Sequence, residues 1–252
     1  MDDIPKLRLY VEAALAEGAA VALAADQTHY LLHVMRAPAG AAVALFNGRD
    51  GEWRGRLTEA GKRSAVLEVG QCLRPQTAEP DLWLLFAPVK RARIDFIAEK
   101  ATELGVSALL PVFTRHTAMT RVNEQRLRAI ATEAAEQSER LTVPEVRPSR
   151  PLDHVLAEWP AGRRLFLLDE SGGGQPIAEV LAREAVGPAA VLVGPEGGFA
   201  KSELDAFHSL AFAKPVGLGP RILRADTAVI SALACFQALC GDWRQPAERS
   251  TT

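Results

Sequence analysis

The sequence contains few cysteines and no long apolar run, and each shortage excludes a class of protein. Its three cysteines, Cys72, Cys235 and Cys240, form no CxxC pair and leave an odd one over. This argues against a disulfide framework or a zinc knuckle and predicts a protein of the reducing cytoplasm. No apolar segment reaches the roughly 18 residues that a membrane span requires, so we expect no transmembrane helix.

The chain also lacks an excess of charge of either sign. Its 29 basic and 31 acidic residues give a formal net charge of -2, so the chain as a whole is not a polycation attracted to phosphates. Any binding to nucleic acid must therefore use local patches or shape. We expect no metal site, because the histidines lack metal-ligand spacing from cysteine or acidic partners. The histidines are His29, His33, His116, His154 and His208.

The first region of the chain, up to about Gly70, has short strand-like segments with turn signals close together. Ala42–Phe46 is followed by Asn47–Gly51, whose Asn-Gly start supplies the positive φ that a tight hairpin needs, and Glu52–Leu57 is the partner strand. This pattern predicts a small β-barrel over residues 1–72. The other predicted elements are a short helix over Gln27–Arg36, a strand over Ala65–Val69 and a linker over Cys72–Pro80.

Strands alternate with helices in the second region, residues 80–252. Continuous apolar runs are typical of strands buried on both faces, and apolar residues at helical spacing predict the helices that cover them. The alternation predicts an α/β fold with a parallel sheet and helices on both faces. Strands are predicted over Leu82–Phe86, Val106–Phe113, Arg164–Leu168, Ala189–Val193 and Pro215–Leu218. Helices are predicted over Arg91–Leu104, Glu124–Glu139, Leu152–Trp159, Ile177–Glu184, Lys201–Ser209 and Ala228–Leu239.

A glycine-rich segment, Val193–Phe199, joins a buried strand to the start of a helix. Ligands of parallel α/β sheets collect at the carboxyl ends of strands, and Gly194, Gly197 and Gly198 let the backbone approach a ligand closely. The alternative is a tight strand-to-helix turn in which Ser202 or a neighbour caps the helix. The segment is neither a P-loop nor a dinucleotide-binding GxGxxG motif.

A second segment, Leu218–Ala228, again joins a strand end to a helix start. Asp226 or Thr227 is well placed to cap the last helix, while Arg221 and Arg224 are either solvated or close to a ligand. Two such loops at adjacent strand ends make a pocket built largely from backbone. The residues alone therefore predict a nucleoside-type cofactor site in an α/β domain.

The LVGPEGGF and LGPRILRADT segments at these two positions resemble the signature motifs of the SPOUT methyltransferases, specifically the RsmE family of 16S rRNA uridine-N3 methyltransferases. Other stretches are similar to the same family, and all the motifs stand in order. These stretches are His33–Arg36 with Phe46–Gly48, Lys90–Thr114, and Ala134–Ser138 followed by Val143 and Pro144. The resemblance covers nearly the whole chain.

This resemblance implies a C-terminal SPOUT-type domain with a deep trefoil knot, preceded by a PUA-like β-barrel that binds RNA. It also implies an obligate homodimer, which fits the nearly all-round apolar character of the last predicted helix. The implied cofactor is S-adenosyl-L-methionine, and the implied partner is 16S rRNA within the assembled small ribosomal subunit. The residues expected to bind the cofactor are Leu168, Val193, Gly194, Pro195, Glu196, Gly197, Gly198, Leu218, Gly219, Ile222, Leu223, Arg224, Thr227 and Ala228.

Basic side chains are the expected contacts with RNA, because an enzyme that unstacks a target base must hold the strand by its phosphates. Basic residues outnumber acidic ones between Arg49 and Arg63. The residues expected to bind RNA are Arg8, Arg36, Arg49, Arg54 and Arg56 in the barrel, and Lys90, Arg91 and Arg115 near the parallel sheet.

The implied reaction needs a cation beside the target base. Uridine N3 is a poor nucleophile until its proton leaves, and a fixed cation stabilises the negative charge that then spreads to the flanking carbonyl oxygens. Arg224 is the candidate cation, and Asp226 either accepts the proton or caps the helix. The chain departs from the family pattern at Asp226, where the family usually has Glu, and at Glu139, where it often has Gly. The second departure adds a negative charge near a possible RNA surface.

Two other functions are compatible with the same motifs. One is a non-catalytic RNA-binding or ribosome-assembly protein with a degenerate cofactor pocket, which would not bind S-adenosylmethionine. The other is a SPOUT enzyme that methylates transfer RNA or a ribose 2′-hydroxyl, in which case the methyl group would appear on another RNA or on the sugar.

Overall fold

The chain divides into two compact units, each of which has its own sheet. Unit 1 comprises Met1–Ala78 and Ala135–Val143, and unit 2 comprises Glu79–Ala134 and Pro144–Thr252. The sequence analysis predicted two continuous ranges, residues 1–72 and 80–252. By contacts, Ala135–Val143 groups with unit 1. The computed structural model describes residues 5–61, 64–184 and 187–245.

Unit 1 is built on a five-stranded sheet. Its strands are β1 (Leu7–Tyr10), β2 (Ala20–Ala22), β3 (Ala42–Phe46), β4 (Glu52–Ala60) and β5 (Ala65–Arg74). They lie in the order β1-β3-β4-β5-β2, with β1 parallel to β3 and the other neighbours antiparallel. The predicted hairpin is confirmed, because β3 pairs with β4 along its whole length. In its connection, Gly48 and Gly51 have φ values of 77° and 83°, a region that favours glycine.

The connection between β3 and β4 is also held by hydrogen bonds from Asn47. This buried side chain accepts the N–H groups of Arg49 and Asp50 at 3.0 and 2.9 Å and donates to the Asp50 carboxylate at 2.7 Å. The N–H of Leu15 donates to the same carboxylate at 2.9 Å, and this bond, together with that of Asn47, lowers the pKa of Asp50. The Asn-Gly pair thus supplies both the backbone geometry and the hydrogen bonds of the turn.

The helix predicted over Gln27–Arg36 is observed in two parts. The α-helix α1 spans Ala25–His29, and a wider π-helical turn follows over Tyr30–Val34. The predicted short helix is confirmed with shifted boundaries. Its π-helical part was not foreseen, because the spacing of apolar residues does not distinguish a single π-helical turn from an α-helical one. The chain leaves this turn at Arg36, whose φ is 52°.

Strand β5 is longer than the segment predicted over Ala65–Val69. It continues to Arg74, with irregular pairing to β4, so Cys72 lies in a strand and not in a linker. The side chain of Arg74 donates to Glu52 on β4 at 2.7 Å. A long-range ion pair therefore stabilises the end of this strand, and local sequence does not reveal it.

Unit 2 contains all the strands and helices that the sequence predicts for it, with shifted boundaries and three added two-residue strands. Its strands are β6 (Leu82–Phe86), β7 (Ala108–Phe113), β8 (Glu145–Val146), β9 (Arg150–Pro151), β10 (Arg164–Leu168), β11 (Gln175–Pro176), β12 (Ala189–Val193) and β13 (Ala213–Gly217). The helices are α2 (Arg91–Glu103), α3 (Glu124–Gln137, whose end belongs to unit 1), α4 (Leu152–Ala157), α5 (Ile177–Leu181), α6 (Lys201–His208) and α7 (Ala225–Leu239), with a 3₁₀ turn over Asp242–Arg244.

The sheet of unit 2 is parallel, as predicted. Its strand order is β11-β13-β10-β12-β6-β7-β8, and β9 also pairs with β7. All described pairs are parallel. Because β10 lies between β12 and β13, the carboxyl ends of these three strands adjoin at one edge of the sheet. Three loops therefore meet there.

Buried strands and one long helix form the centre of unit 2. Every residue of β6 and of β12 is buried. Helix α7 begins three residues earlier than predicted and buries Val229, Leu233 and Phe236, whereas Leu239 at its end stays exposed. A helix able to span a bilayer is absent from the part of the chain that the structure describes.

Candidate active site

A cavity of about 570 Å³ lies where the carboxyl ends of β10, β12 and β13 adjoin. The loops that follow these strands form its walls, and the first turn of α7 closes one side. This volume is within the range of sites for small molecules and cofactors, roughly 300–1,000 Å³. Most of the residues expected to bind the cofactor line it. They are Leu168, Val193, Gly194, Pro195, Glu196, Leu218, Gly219, Ile222, Leu223, Arg224 and Ala228.

Three residues expected at this site, Gly197, Gly198 and Thr227, are absent from the cavity wall within the described residues. Gly197 and Gly198 face the loop after β7, where the Nδ1 atom of His116 lies 3.1 Å from both of their carbonyl oxygens. Since both partners are acceptors, Nδ1 carries the proton and donates. Thr227 lies on the exposed side of α7. These residues support the site from outside the cavity.

Sequence reasoning missed the loop after β10. A run of small and acidic residues follows the buried strand β10. This pattern could have revealed the loop as part of the site, but only if β10 were known to lie between β12 and β13. The cavity-lining residues that were not predicted are Asp169, Glu170, Ser171, Gly172, Gly174, Pro176, Val216, Gly217, Pro220, Arg221 and Ala225.

Glu170 in this loop contacts the glycine-rich loop after β12. A Cβ atom on Gly198 would overlap Glu170 Oε1, which would have to move aside. The φ of 69° itself favours glycine at this position. Partial burial against the loop raises the pKa of Glu170, and repulsion from Asp169 adds to the effect. The cavity thus has an acidic wall on its β10 side.

Gly194 is required by packing. A Cβ atom there would lie 2.9 Å from the ring of Phe199, which is buried and makes an edge-on contact with Phe207 of α6. The end of the loop is held by Glu203, whose carboxylate accepts the N–H groups of Ala200 at 2.8 Å and Arg115 at 3.0 Å. The alternative prediction was that Ser202 or a neighbour caps α6. The neighbour Glu203 does so, through its bond to the N–H of Ala200.

The start of α7 differs from the sequence prediction. Arg224 is the N-cap residue and makes no side-chain capping bond, so the prediction that Asp226 or Thr227 caps the helix is wrong. Asp226 is the second residue of the helix, and its carboxylate accepts the N–H of Thr227 at 2.9 Å. Its negative charge interacts favourably with the positive end of the helix dipole. The exposed Arg224 lines the cavity from its rim.

An arginine of helix α2 lies beside the two predicted loops. Arg93 on α2 has its Nη1 atom 3.6 Å from Glu196 Oε1 and its Nε atom 3.9 Å from Asp226 Oδ2. Asp226 is absent from the cavity wall within the described residues, and this ion pair fixes its place beside the wall. Arg93 was not predicted, because nothing local in the sequence separates it from its basic neighbours.

The residues expected to bind RNA are placed in different environments. Arg36, Arg49 and Arg56 of unit 1 are exposed, and Arg54 is half-buried. In unit 2, Lys90 and Arg115 are exposed. The Arg91 side chain lies outside the described part of the chain, as do Lys62 and Arg63.

Arg8 is a correction to the expected RNA-binding set. Its side chain is only 9% exposed and donates to Glu52 at 2.6 Å. The same guanidinium donates to the carbonyl oxygens of Ala135, Glu136 and Arg140 at 2.8–2.9 Å. Because four of its five N–H donors are engaged within unit 1 and the side chain is buried, Arg8 is a structural residue and not a contact for phosphate.

Family models for RNA-modifying enzymes match both regions of the chain. The model of an RNA methyltransferase domain matches residues 77–237, and that of an RNA methyltransferase PUA domain matches residues 23–70. The Ribosomal RNA small subunit methyltransferase E of Rickettsia conorii is 32% identical, covering 92% of this chain and 95% of the relative. The protein of the same name from Synechocystis is 34% identical, covering 88% and 74%.

Solved structures share the fold over nearly the full length. A Ribosomal RNA small subunit methyltransferase E from Neisseria gonorrhoeae, bound to S-adenosyl methionine, is similar with a TM-score of 0.82 and 31% identity, covering 94% of this chain and 99% of that one. A putative methyltransferase from Legionella pneumophila, in complex with the same cofactor, has a TM-score of 0.84 and 26% identity, covering 95% and 100%. Sequence, fold and family models agree that the chain belongs to the ribosomal RNA small subunit methyltransferase E (RsmE) family of RNA methyltransferases.

Proposed function

We propose that this chain transfers a methyl group from S-adenosyl-L-methionine to N3 of a uridine in the 16S rRNA of the small ribosomal subunit. The observation that carries the proposal is the cavity at the ends of β10, β12 and β13, with Arg224 at its rim. The similar protein from Neisseria gonorrhoeae, which binds this cofactor, supports the assignment.

The residues of the cavity fit this cofactor. Backbone from glycine and proline residues forms much of the wall, as in Gly194, Pro195 and Gly219, and suits an adenosyl group recognised by shape and by main-chain hydrogen bonds. The carboxylates of Glu170 and Glu196 lie in the same wall, where they attract the positive charges of the sulfonium and amino groups. S-Adenosylmethionine supplies an activated methyl group on its sulfonium.

Arg224 and Asp226 act on the acceptor base. The negative charge left on the uracil carbonyl oxygens after deprotonation is stabilised by the fixed positive charge of Arg224. Asp226, two residues further along the chain, receives the imide proton. Both residues lie at the start of α7, so one helix terminus positions the cation and the proton acceptor together.

Exposed basic side chains hold the RNA. Arg36, Arg49 and Arg56 of unit 1, with Lys90 and Arg115 of unit 2, are exposed and contact phosphates, while the target base is unstacked from its strand. Arg54 is half-buried and contributes less. This division gives unit 1 the role of an RNA-binding appendage.

The chain acts as a homodimer with a trefoil knot in unit 2. Three large apolar side chains near α7 remain solvent-exposed in the single chain, Ile222, Leu239 and Trp243. A second copy that covers them would remove apolar surface from water. The strand order, in which β10 lies between β12 and β13, is compatible with a chain that passes through its own loop.

Nucleoside mass spectrometry tests the proposed reaction. Purified small subunits from cells that lack the gene are incubated with the protein and S-adenosylmethionine, and transfer RNA is treated in parallel. We expect N3-methyluridine in 16S rRNA alone. A methyl group on ribose, or on transfer RNA, would overturn the assignment in favour of another SPOUT specificity, and no methylation at all would favour a non-catalytic RNA-binding protein.

A further inference from the structure

Arg93 has a position that local helix energetics does not favour. It lies in the first turn of α2, which contains no acidic residue. A cation there faces the positive end of the helix dipole, an unfavourable arrangement. Two carboxylates from other elements compensate for it, Glu196 in the loop after β12 and Asp226 in the first turn of α7. The arginine is therefore placed by contacts with the site and not by its own helix.

The two carboxylates use different nitrogen atoms of the same guanidinium. Nη1 faces Glu196 at 3.6 Å, and Nε faces Asp226 at 3.9 Å. The side chain of Arg93 is 29% exposed and that of Asp226 is 20% exposed, so both charges are partly shielded from water and their attraction exceeds that of a fully exposed pair. A planar guanidinium can face two partners at once, whereas a lysine ammonium is a single point charge.

We propose that Arg93 is a positioning residue for methyl transfer, which holds the Asp226 carboxylate where it receives the imide proton and ties the cofactor loop to α7 through Glu196. The proposal rests on the proposed function, because it assigns Arg93 an action through Asp226. Glu196 lines the cofactor cavity and Asp226 stands beside it, so the guanidinium joins the cofactor wall to the proton acceptor. Arg93 itself does not contact the reacting atoms.

Variants of Arg93 test this role through steady-state methylation of small subunits. Arg93→Gln removes the charge and keeps much of the side-chain volume, and we expect kcat to fall about 10- to 100-fold, as for a misplaced catalytic group. The KM for S-adenosylmethionine should change by less than about threefold, since Arg93 is not among the cavity-lining residues. Arg93→Lys keeps the charge and should recover part of kcat.

The double variant Arg93→Gln/Asp226→Asn separates a positioning role from an independent one. If Arg93 acts through Asp226, the double variant has the same kcat as Asp226→Asn alone, because residues that act as one unit have non-additive effects. If the fold-loss in kcat of the double variant is instead the product of the two single fold-losses, the proposal is overturned. A wild-type kcat for Arg93→Gln or for Asp226→Asn would also overturn it.

Arg126→Ala is the matched control. It removes the bidentate ion pair that Arg126 of α3 makes with Asp95 of α2 at 2.7–2.9 Å. Neither residue is among those that line the cavity, and we expect an unchanged kcat. If Arg93→Gln lowers the melting temperature, the folded Arg93→Lys variant becomes the test. A kcat between those of Arg93→Gln and the wild type supports the proposal. A kcat as low as that of Arg93→Gln contradicts it. Failure of the wild-type protein to form N3-methyluridine would instead refute the proposed function.

Discussion

Glu139 occupies a position where the backbone favours glycine. Its φ is 60°, and the bond from Arg140 N–H to the Ala135 carbonyl at 3.1 Å spans the end of α3. This is the geometry of a Schellman cap, with Glu139 as the left-handed C′ residue. The glycine that the resemblance implies at this position thus has a conformational explanation, and Glu139 departs from it.

Glu139→Gly should stabilise the protein. A side chain in the left-handed region is strained, and glycine relieves this strain at some cost in unfolded-state entropy, so we expect a net gain of about 0.5–1 kcal/mol in the free energy of unfolding. Urea denaturation monitored by circular dichroism measures it. Glu139→Ala is the control: it removes the charge and retains Cβ, so an equal gain from this variant would show that charge, and not backbone strain, is responsible.

Arg224→Ala should separate catalysis from cofactor binding. Arg224 makes no side-chain capping bond to α7, so its removal should not unwind the helix, while the charge at the cavity rim is lost. We expect the rate of methyl transfer to fall about 100- to 1,000-fold, with the affinity for S-adenosylmethionine unchanged within about threefold. Arg224→Lys should retain part of the rate. An equal loss of cofactor affinity in calorimetry would show that the arginine is structural.

At the scale of single residues, glycine and proline motifs allowed most of the cavity wall to be predicted. The failures have physical causes. Gly198 has a φ of 69° and lies against the Glu170 side chain, and a sequence does not separate close approach to a side chain from close approach to a ligand. Arg8 was misassigned because its acceptors, the carbonyl groups of Ala135, Glu136 and Arg140, are distant in sequence.

At the scale of elements, the ends of β4 and β5 are joined by a shielded ion-pair network. Glu52 is 7% exposed and accepts from Arg8 at 2.6 Å and Arg74 at 2.7 Å. Burial alone raises the pKa of Glu52, but hydrogen bonds and charge from Arg74 and Arg8 outweigh it, and the net pKa is lowered. This carboxylate therefore stabilises unit 1 when it is ionised.

Glu52→Gln should destabilise unit 1, most strongly near neutral pH. Removal of one partner leaves two arginines without a counter-charge, and we expect a loss of about 3 kcal/mol. Since the folded pKa is lowered, the stabilisation is present above the ordinary glutamate value of about 4.3 and disappears as the pH falls through the folded value. Denaturation curves of wild type and variant at pH 7 and pH 3 measure the difference. The exposed Glu68→Gln is the control, and a pH-independent difference would contradict this account.

Periodicity predicted the elements of unit 2 well because their apolar runs are buried on both faces, as in β6 and β12. It failed where long-range contacts set a boundary. Strand β5 continues to Arg74 because of Glu52, and α7 begins at Ala225, a turn earlier than its apolar stripe indicates. The π-helical turn at Tyr30–Val34 has no periodic signature.

At the scale of the whole chain, strand order decides which loops share a site. The sequence indicates a parallel sheet, but periodicity within each strand carries no information on its neighbours. The placement of β10 between β12 and β13 brings a third, acidic loop to the cavity, and this loop was missed. Family resemblance supplied the function that local patterns alone left open.

Calorimetric titration with S-adenosylmethionine tests the central claim, that three loops of unit 2 enclose the methyl donor. We expect one molecule to bind per chain, and Ala228→Phe, which places a ring in the cavity from α7, to lower the affinity at least about tenfold, with an unchanged melting temperature. Equal binding by the folded variant would place the cofactor elsewhere, and the absence of binding to the wild-type protein would contradict the account.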